Sequence, residues 1–373
     1  MSAIGNRPPE VLHFTGYADD HSGIHSTVAA LQSTKSFRCV LGVHPDYVPT
    51  RPLGLSPLVL PQVPAESIGW AAFWAARRVA GRVEEWLSVD HSRIYHGHSR
   101  AGLLVAWWLV RHGCRRVVTS VHCYGRQRWF FRWAARAMAG RLYWLSPAMR
   151  SHYGAKGEGW DSCIPECVGP LSPLPAAEGR TGVTLRLGGA GLRVRWKRWD
   201  LVVRALAQLP AEVRGRIEFE QLGADGPGSD GLRYAQELHA LTRQSGLDAW
   251  VKWLPAEPDS RRLLAQVDAV VVASHCEPMS LVMLEALNAG VPVIAADSGG
   301  APDVIRPGIN GWLFQDGNAA DLARLLSNLA RDRPDRLLER RSFLPAGLTA
   351  ASVAARWLSV YSALPAAKPA SQS

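Results

Sequence analysis

Apolar residues fall along this chain in two alternating patterns. One is a short, continuous, often β-branched run closed off by polar residues or glycine, which is how a strand buried on both faces reads. The other is a longer stretch with apolar residues three and four apart, the mark of an amphipathic helix. Strands are predicted over Val11–Phe14, Arg38–Val43, Arg93–Tyr95, Val117–Val121 and Leu142–Leu145, with helices over Ser26–Leu31, Ile68–Leu87 and Gly102–Arg111. Pro45–Pro64 has no periodicity and is rich in proline, so it is expected to be a loop. A second series comes after it, with strands over Val183–Leu187, Ile217–Leu222, Val251–Leu254, Ala269–Ala273 and Pro292–Ala295. Its helices are one from Asp200, then Leu232–Ser245, Arg261–Gln266, one that Gly290 stops, Ala319–Ala330 and Ala351–Ala363. Strands alternating with helices predict an α/β protein with parallel sheets. The break is at Gly169–Gly182, GPLSPLPAAEGRTG, whose composition is that of a linker. The expected organisation is therefore a domain over 1–168, a linker over 169–182, a domain over 183–345, a helix over 346–365 and a disordered tail over 366–373.

The stretch from Val267 to Phe314 carries the chemistry. The strand Ala269–Ala273 is broken by Ser274-His275-Cys276-Glu277-Pro278, and a helix begins around Met279, Ser280 and Leu281. Pro278 sits where a first-turn proline is tolerated. Glu277 thus lies in the loop at the carboxyl end of a strand, the edge where open α/β sheets bind ligands, and Glu285 lies on the next helix. The free N–H groups of the helix start attract a phosphate. A carboxylate does not, so Glu277 and Glu285 read as acceptors for neutral hydroxyls. Taken singly, either glutamate could be a solvated surface residue. Together with Ser298-Gly299-Gly300, expected to be a turn giving close backbone access to a ligand, they describe a site for a sugar nucleotide. A second cluster supports it. Gly188-Gly189-Ala190-Gly191 is succeeded by Arg193, Arg195 and Lys197 ahead of a helix. A glycine turn with cations before a helix start is a diphosphate cradle, with Gly189, Arg195 and Lys197 as candidate contacts. In isolation the basic run would fit a solvated helix start equally well.

These residues carry a resemblance to a known family. Glu277-Pro278-Met279-Ser280-Leu281-Val282-Met283-Leu284-Glu285 resembles the E-x7-E signature of retaining GT-B glycosyltransferases of family 4, and Ala289-Gly290-Val291-Pro292-Val293, Gly299-Gly300 and Asn310-Gly311 resemble that family's segments downstream of the signature. The resemblance implies two Rossmann-like domains facing across a cleft, with the donor nucleotide on the C-terminal one and the last helix returning to the N-terminal one. It implies retention of anomeric configuration, with the leaving phosphate taking the acceptor proton. Thr119-Ser120-Val121-His122 resembles the family's strand-end histidine, whose ring contacts the transferred sugar, and Glu277 and His122 are the expected catalytic residues. Glu285 would hold the ribose. Lys197 matches the family's lysine, whereas Leu192 stands where its arginine is expected and Arg198 where its glycine is, which leaves the diphosphate to Arg193 or Arg195.

Several features remain. The loop Thr15–His25 lacks G-x-G-x-x-G, so no dinucleotide is implied; Gly16 and Gly23 are candidates for a ligand-facing loop or are turn glycines. His96 and His98 alternate along their strand, which is read as placing them on different sides, in packing, capping or ligand binding. Arg128, Arg132 and Arg136 form a stripe at helical spacing with Trp129 and Trp133 beside it, the pattern of a helix lying on anionic lipid or of an aromatic core face. The formal net charge of +10 fits anionic partners but comes with no nucleic-acid motif. The six cysteines complete no zinc site and read as reduced thiols. MSAIGNRPPE has no apolar core, and Leu103–Val110 is too short to span a bilayer, so a cytoplasmic protein is expected, either free or peripheral on the inner membrane face. There is no Asp-x-Asp clamp, and no metal or other cofactor is expected. The resulting expectation is a transferase moving a hexose-type sugar, UDP-linked by preference, to an envelope-glycan or lipid-linked acceptor. The alternatives are a soluble acceptor, an epimerase of the same fold, a nucleic-acid-binding protein or a non-catalytic subunit.

Overall fold

The short apolar runs become strands and the longer periodic stretches become helices. A computed structural model describes residues 8–20, 22–50, 52–170, 174–175, 185–257, 259–332 and 342–366. The chain divides into one unit of residues 1–170 with 346–373 and another of residues 171–345. Most of the expected linker and all but the first residue of the expected tail lie outside the described residues.

The first unit runs β1 (Glu10–Phe14), α1 (Gly23–Ser33), β2 (Arg38–Val43), β3 (Ser56–Val59), α2 (Trp70–Val89), β4 (Ile94–Gly97), α3 (Arg100–Arg111), β5 (Val117–Val121), α4 (Arg128–Ala137), β6 (Leu142–Trp144) and α5 (Pro147–His152). Its strands pair in parallel in the order β3-β2-β1-β4-β5-β6. Every residue from Val11 to Phe14 is buried. Successive strand side chains point to opposite faces, so both faces of this sheet are covered there. The segment expected to be a loop contains β3, registered on β2 from Val40↔Ser56 to Val43↔Val59. Pro57 disguised it, but an edge strand tolerates a residue that cannot donate.

The second unit runs β7 (Leu185–Ala190), α6 (Trp199–Ala207), α7 (Ala211–Arg214), β8 (Ile217–Leu222), α8 (Gly228–Gln244), β9 (Val251–Leu254), α9 (Arg261–Gln266), β10 (Ala269–Val272), α10 (Leu281–Asn288), β11 (Val293–Ala296), α11 (Ala301–Val304), β12 (Gly311–Phe314) and α12 (Ala319–Asp332). Its order is β12-β11-β10-β7-β8-β9, again parallel throughout. The final helix, α13 (Ala350–Ala363), belongs to the first unit. There Val353, Ala354, Trp357 and Tyr361 join Val11, Ile24, Val28 and Leu31 in one buried cluster. Thr349 caps it by accepting from the Ser352 N–H at 3.2 Å.

Counted from its own first strand, each sheet has the order 3-2-1-4-5-6 of a Rossmann-type domain. The order reverses between β1 and β4 in one unit and between β7 and β10 in the other. Loops leaving the carboxyl ends of those strands diverge there and leave room for a ligand. Among the described residues, no helix is long and apolar enough to cross a membrane.

Candidate active site

The reversal point of the second sheet brings together the two clusters the sequence singled out. After β7 the chain passes Gly191, at φ +135°, and makes a single 3-10 turn, Arg195–Lys197. It enters α6 through Arg198, held in the left-handed region at φ 54°. That conformation is why glycine is the residue to expect at this position. After β10 the chain passes Cys276, also left-handed at φ 50°, to Glu277. Three hydrogen bonds join the loops. The His275 N–H donates to the Trp196 carbonyl at 2.9 Å, the Cys276 N–H to Ser298 Oγ at 2.8 Å, and the Gly300 N–H to the Glu277 carbonyl at 2.9 Å. His275 Nδ1 also pairs with Asp316 Oδ2 at 2.5 Å, a contact invisible in the sequence because 41 positions separate the partners.

The result is a nearly buried ion pair. Lys197 Nζ lies 2.5 Å from Glu277 Oε1, with each side chain 12% exposed, and Nζ stands 4.4 Å from the centre of the Trp196 ring. The other carboxylate oxygen, Oε2, is buried and has no hydrogen-bond partner among the described residues; neither has Ser280 Oγ. Ser280 is the N-cap of α10, yet its side chain makes no capping bond. Buried polar atoms in folded proteins are nearly always paired, so two orphans three residues apart at the start of a helix make this a candidate binding site. Glu285, on α10, accepts from Ser260 Oγ at 2.6 Å at the start of α9.

Four expectations change. Gly188 and Gly189 lie within β7, paired with Glu220 and Gln221 of β8. A Cβ on Gly189 would sit 2.6 Å from the Trp199 ring, so this glycine makes room for core packing; Gly191, whose Cβ position is 3.4 Å from Lys197 Cε, is the loop glycine. Arg195 is held by Glu237 at 3.0 Å through both terminal nitrogens and by Asp230 at 3.4 Å, both on α8. Arg193 is buried and spent on Gln221, Asp225 and the Leu254 carbonyl. Lys197 is thus the cation of that run directed at Glu277. The Ser298–Gly300 turn packs against the Glu277 loop: Cβ atoms on Gly299 and Gly300 would lie 2.1 and 2.0 Å from the carbonyl oxygens of Glu277 and Pro278, so its glycines let two protein loops touch. Of the helix-start residues, Met279 is buried and Leu281 half-buried.

In the first unit, Gly16 occupies the left-handed region at φ 76° after β1, whereas Gly23 is the first residue of α1 and no part of the loop. His96 and His98 do not face apart. Residues two apart on a strand share a face, and their rings stack at 4.0 Å. His13, His98, His122 and Glu166 form a continuous line: His13 Nδ1 to His98 Nε2, His98 Nδ1 to His122 Nε2, and His122 Nδ1 to Glu166 Oε1, each 2.9 Å. His96 bonds Tyr361 Oη and Ser120 Oγ, each at 2.8 Å. Burial, and then the neighbouring His122, push His13 down to about 3; burial and the other histidines push His96 and His98 well below the usual histidine value. His122, expected to touch the sugar, therefore has both ring nitrogens engaged inside this unit. Candidate ligand nitrogens of His13, His96 and His98 lie within 4.8 Å of one another. Five of the six ring nitrogens already hold hydrogen bonds, so an ion taking one nitrogen from each ring would have to break at least two of them.

On α4, Phe130, Phe131 and Ala134 are buried and Trp129 is 65% exposed. Arg128 and Arg132 donate to the carbonyls of His152 and Tyr153 at the end of α5, the latter at 3.0 Å, so two members of the stripe cap a helix.

Residues 190–342 match the family model described as "Glycosyl transferases group 1", so this part of the second unit is a domain of the glycosyltransferase kind. A curated D-inositol 3-phosphate glycosyltransferase of Actinosynnema mirum is 40% identical over 136 residues, which are 35% of this chain and 32% of that protein. The match thus spans about a third of the curated relative's length. The crystal structure of Anabaena HepE with UDP and glucose superposes with TM-score 0.69 at 18% identity, covering 95% of this chain and 97% of that one. The lipopolysaccharide outer core galactosyltransferase WaaB does so with TM-score 0.67 at 14% identity, covering 94% and 98%. At such identities the likeness establishes the fold, which is the expected GT-B type with two Rossmann-like domains.

The reassignment of Gly189 has a direct test. Gly189→Ala should lower stability by about 1–3 kcal/mol, the usual cost of overpacking, in urea unfolding monitored by tryptophan fluorescence. Unchanged stability with lost nucleotide affinity would return Gly189 to the phosphate cradle.

Proposed function

We propose that this chain is a retaining glycosyltransferase of family 4 that moves a hexose-type sugar from a nucleotide diphosphate, UDP by preference, to a hydroxyl acceptor. The observation that supports this reading most is the Lys197–Glu277 pair with its two orphaned neighbours, Glu277 Oε2 and Ser280 Oγ. A diphosphate is a stronger partner for Lys197 than a carboxylate already short of donors, and sugar hydroxyls are the donors Glu277 lacks. In this reading Lys197 and the N–H groups opening α10 hold the diphosphate while Glu277 accepts from the sugar hydroxyls. Glu285 shifts its hydrogen bond from Ser260 to the ribose. The acceptor oxygen forms a bond to the anomeric carbon, the bond from that carbon to the diphosphate breaks on the same face, and the acceptor proton passes to the leaving phosphate. Lys197 and the helix start stabilise the charge that develops on that leaving group, so no metal is needed. His122 is assigned to the transferred sugar. With both its nitrogens engaged, it offers the carbon edge of its ring or its backbone.

For the acceptor, the first unit favours an envelope-glycan or lipid-linked molecule at an anionic membrane face, with the protein peripheral on its cytoplasmic side. Trp70 and Trp74 on α2 are 78% and 49% exposed, and with Trp129 on α4 they flank one aromatic cluster that includes Phe73, Trp107 and Trp133. Arg77 lies over Trp74 and Trp108, and Arg111 over Trp107. Exposed tryptophans beside arginines suit a headgroup layer. A soluble phosphorylated polyol, as the name of the curated relative indicates for that protein, is the alternative.

Two measurements test this reading. By calorimetry, Lys197→Ala and Glu285→Ala should each weaken UDP binding about 10- to 100-fold, the cost of one charge-assisted hydrogen bond. Glu277→Gln should keep UDP affinity and lose transfer, and wild-type transfer should persist in EDTA. Unchanged UDP affinity in both alanine variants would overturn the donor site. In co-sedimentation, anionic vesicles at low salt should retain the wild type, and a Trp70/Trp74/Trp129→Ala variant should be released. Equal retention of the two, or none of either, would favour the soluble acceptor.

A further inference from the structure

The line of histidines has a direction that its two ends fix independently. At one end stands Glu166, buried, with Oε1 2.9 Å from His122 Nδ1. As a carboxylate it only accepts, so His122 must carry its proton on Nδ1. A neutral His122 then accepts at Nε2, which requires His98 to donate from Nδ1 across 2.9 Å. His98 in turn accepts at Nε2, and His13 donates from Nδ1, again across 2.9 Å. At the other end His13 Nε2 is buried and has no partner among the described residues. In this order it is a bare lone pair. In the reverse order it would be a buried N–H with nothing to donate to, which is the rarer and costlier defect. Both ends therefore select one arrangement of protons.

We propose that Glu166 is a positioning residue for His122 and that the line Glu166–His122–His98–His13 locks His122 as a neutral ring with its proton on Nδ1. The significance for transfer rests on His122 belonging to the transferase site; the locked tautomers do not. The line leads nowhere: it ends on a nitrogen in the core, so it cannot deliver a proton to solvent. It holds a ring still and keeps it uncharged. The downward push of burial on His13 and His98 acts in the same sense. His122 would then serve as an oriented, neutral surface and not as a general acid or base.

Long-range nitrogen–proton NMR correlation of the imidazoles, with His13, His98 and His122 identified by single substitution, reads the tautomers directly. At neutral pH all three should show the Nδ1–H pattern. Glu166→Gln keeps an acceptor for His122, and the His13 end still selects the same order, so this variant should keep both the pattern and transfer within about threefold. Glu166→Ala removes the acceptor at His122 Nδ1, so the ring should lose its fixed orientation and kcat should fall about tenfold or more with the donor KM little changed, while the His13 end keeps the Nδ1–H pattern. An Nε2–H pattern in the wild type, or an unchanged kcat in Glu166→Ala, would overturn the proposal. So would loss of transfer in Glu166→Gln as deep as in Glu166→Ala, since charge and not orientation would then matter. One equivalent of zinc should leave His13, His96 and His98 unmoved; their joint displacement would replace the line with a metal site. The predicted tautomers in a chain without transferase activity would uphold the lock and refute the function proposed above.

Discussion

The ion pair between Lys197 and Glu277 is the interaction on which the second unit is organised. Taking two charges out of water costs several kcal/mol for each, and their attraction offsets this only when the remaining hydrogen-bonding capacity is filled. Here it is not filled, because Glu277 Oε2 has no donor among the described residues. The chain nonetheless holds the pair in place. The strand order sets β7 beside β10, and the backbone bond from His275 to Trp196 fixes the loop of one against the loop of the other. Two residues, Arg198 and Cys276, accept left-handed backbone so that these loops can turn where they do. Left-handed backbone and an unpartnered carboxylate oxygen thus fall within the same few residues, where functional sites concentrate strain.

The two reversal points are built with opposite electrostatics. In the second unit a full positive and a full negative charge meet under little solvent. In the first, burial disfavours His13, His96 and His98 as cations. Under the function proposed here this division is sensible. The diphosphate needs a countercharge, whereas a sugar and a hydroxyl acceptor need shape and neutral contacts, and an imidazolium near the anomeric carbon would oppose the positive charge developing there.

Much of the fold was legible because its strands are buried on both faces, and continuous β-branched runs need no alternation to be recognised. The exception, β3, is an edge strand carrying Pro57, and single-strand reasoning penalises proline without knowing which strands are central. In the candidate site, Lys197 and Glu277 stood out in the sequence through a basic run and a glutamate spacing, and the structure brings those two together. Arg198 stood out as a departure from an expected glycine, and the structure supplies the reason in its positive φ. What the sequence hid were contacts made at long range. Glu237 occupies Arg195 from 42 residues away, Glu166 meets His122 across 44, and Ser298 supports Cys276 across 22. Gly189 was misread for a related reason: the Trp199 ring that requires a glycine there returns from the next helix. The pairing of His96 with His98 was available all along, since a strand repeats every two residues.

A crystal structure with a bound UDP-hexose tests the central claim most directly. The account predicts that Lys197 Nζ leaves Glu277 for the diphosphate oxygens and that Glu277 Oε2 takes a sugar hydroxyl at about 2.7–3.0 Å. A nucleotide bound elsewhere, with the Lys197–Glu277 pair intact and Oε2 still unpartnered, would contradict it.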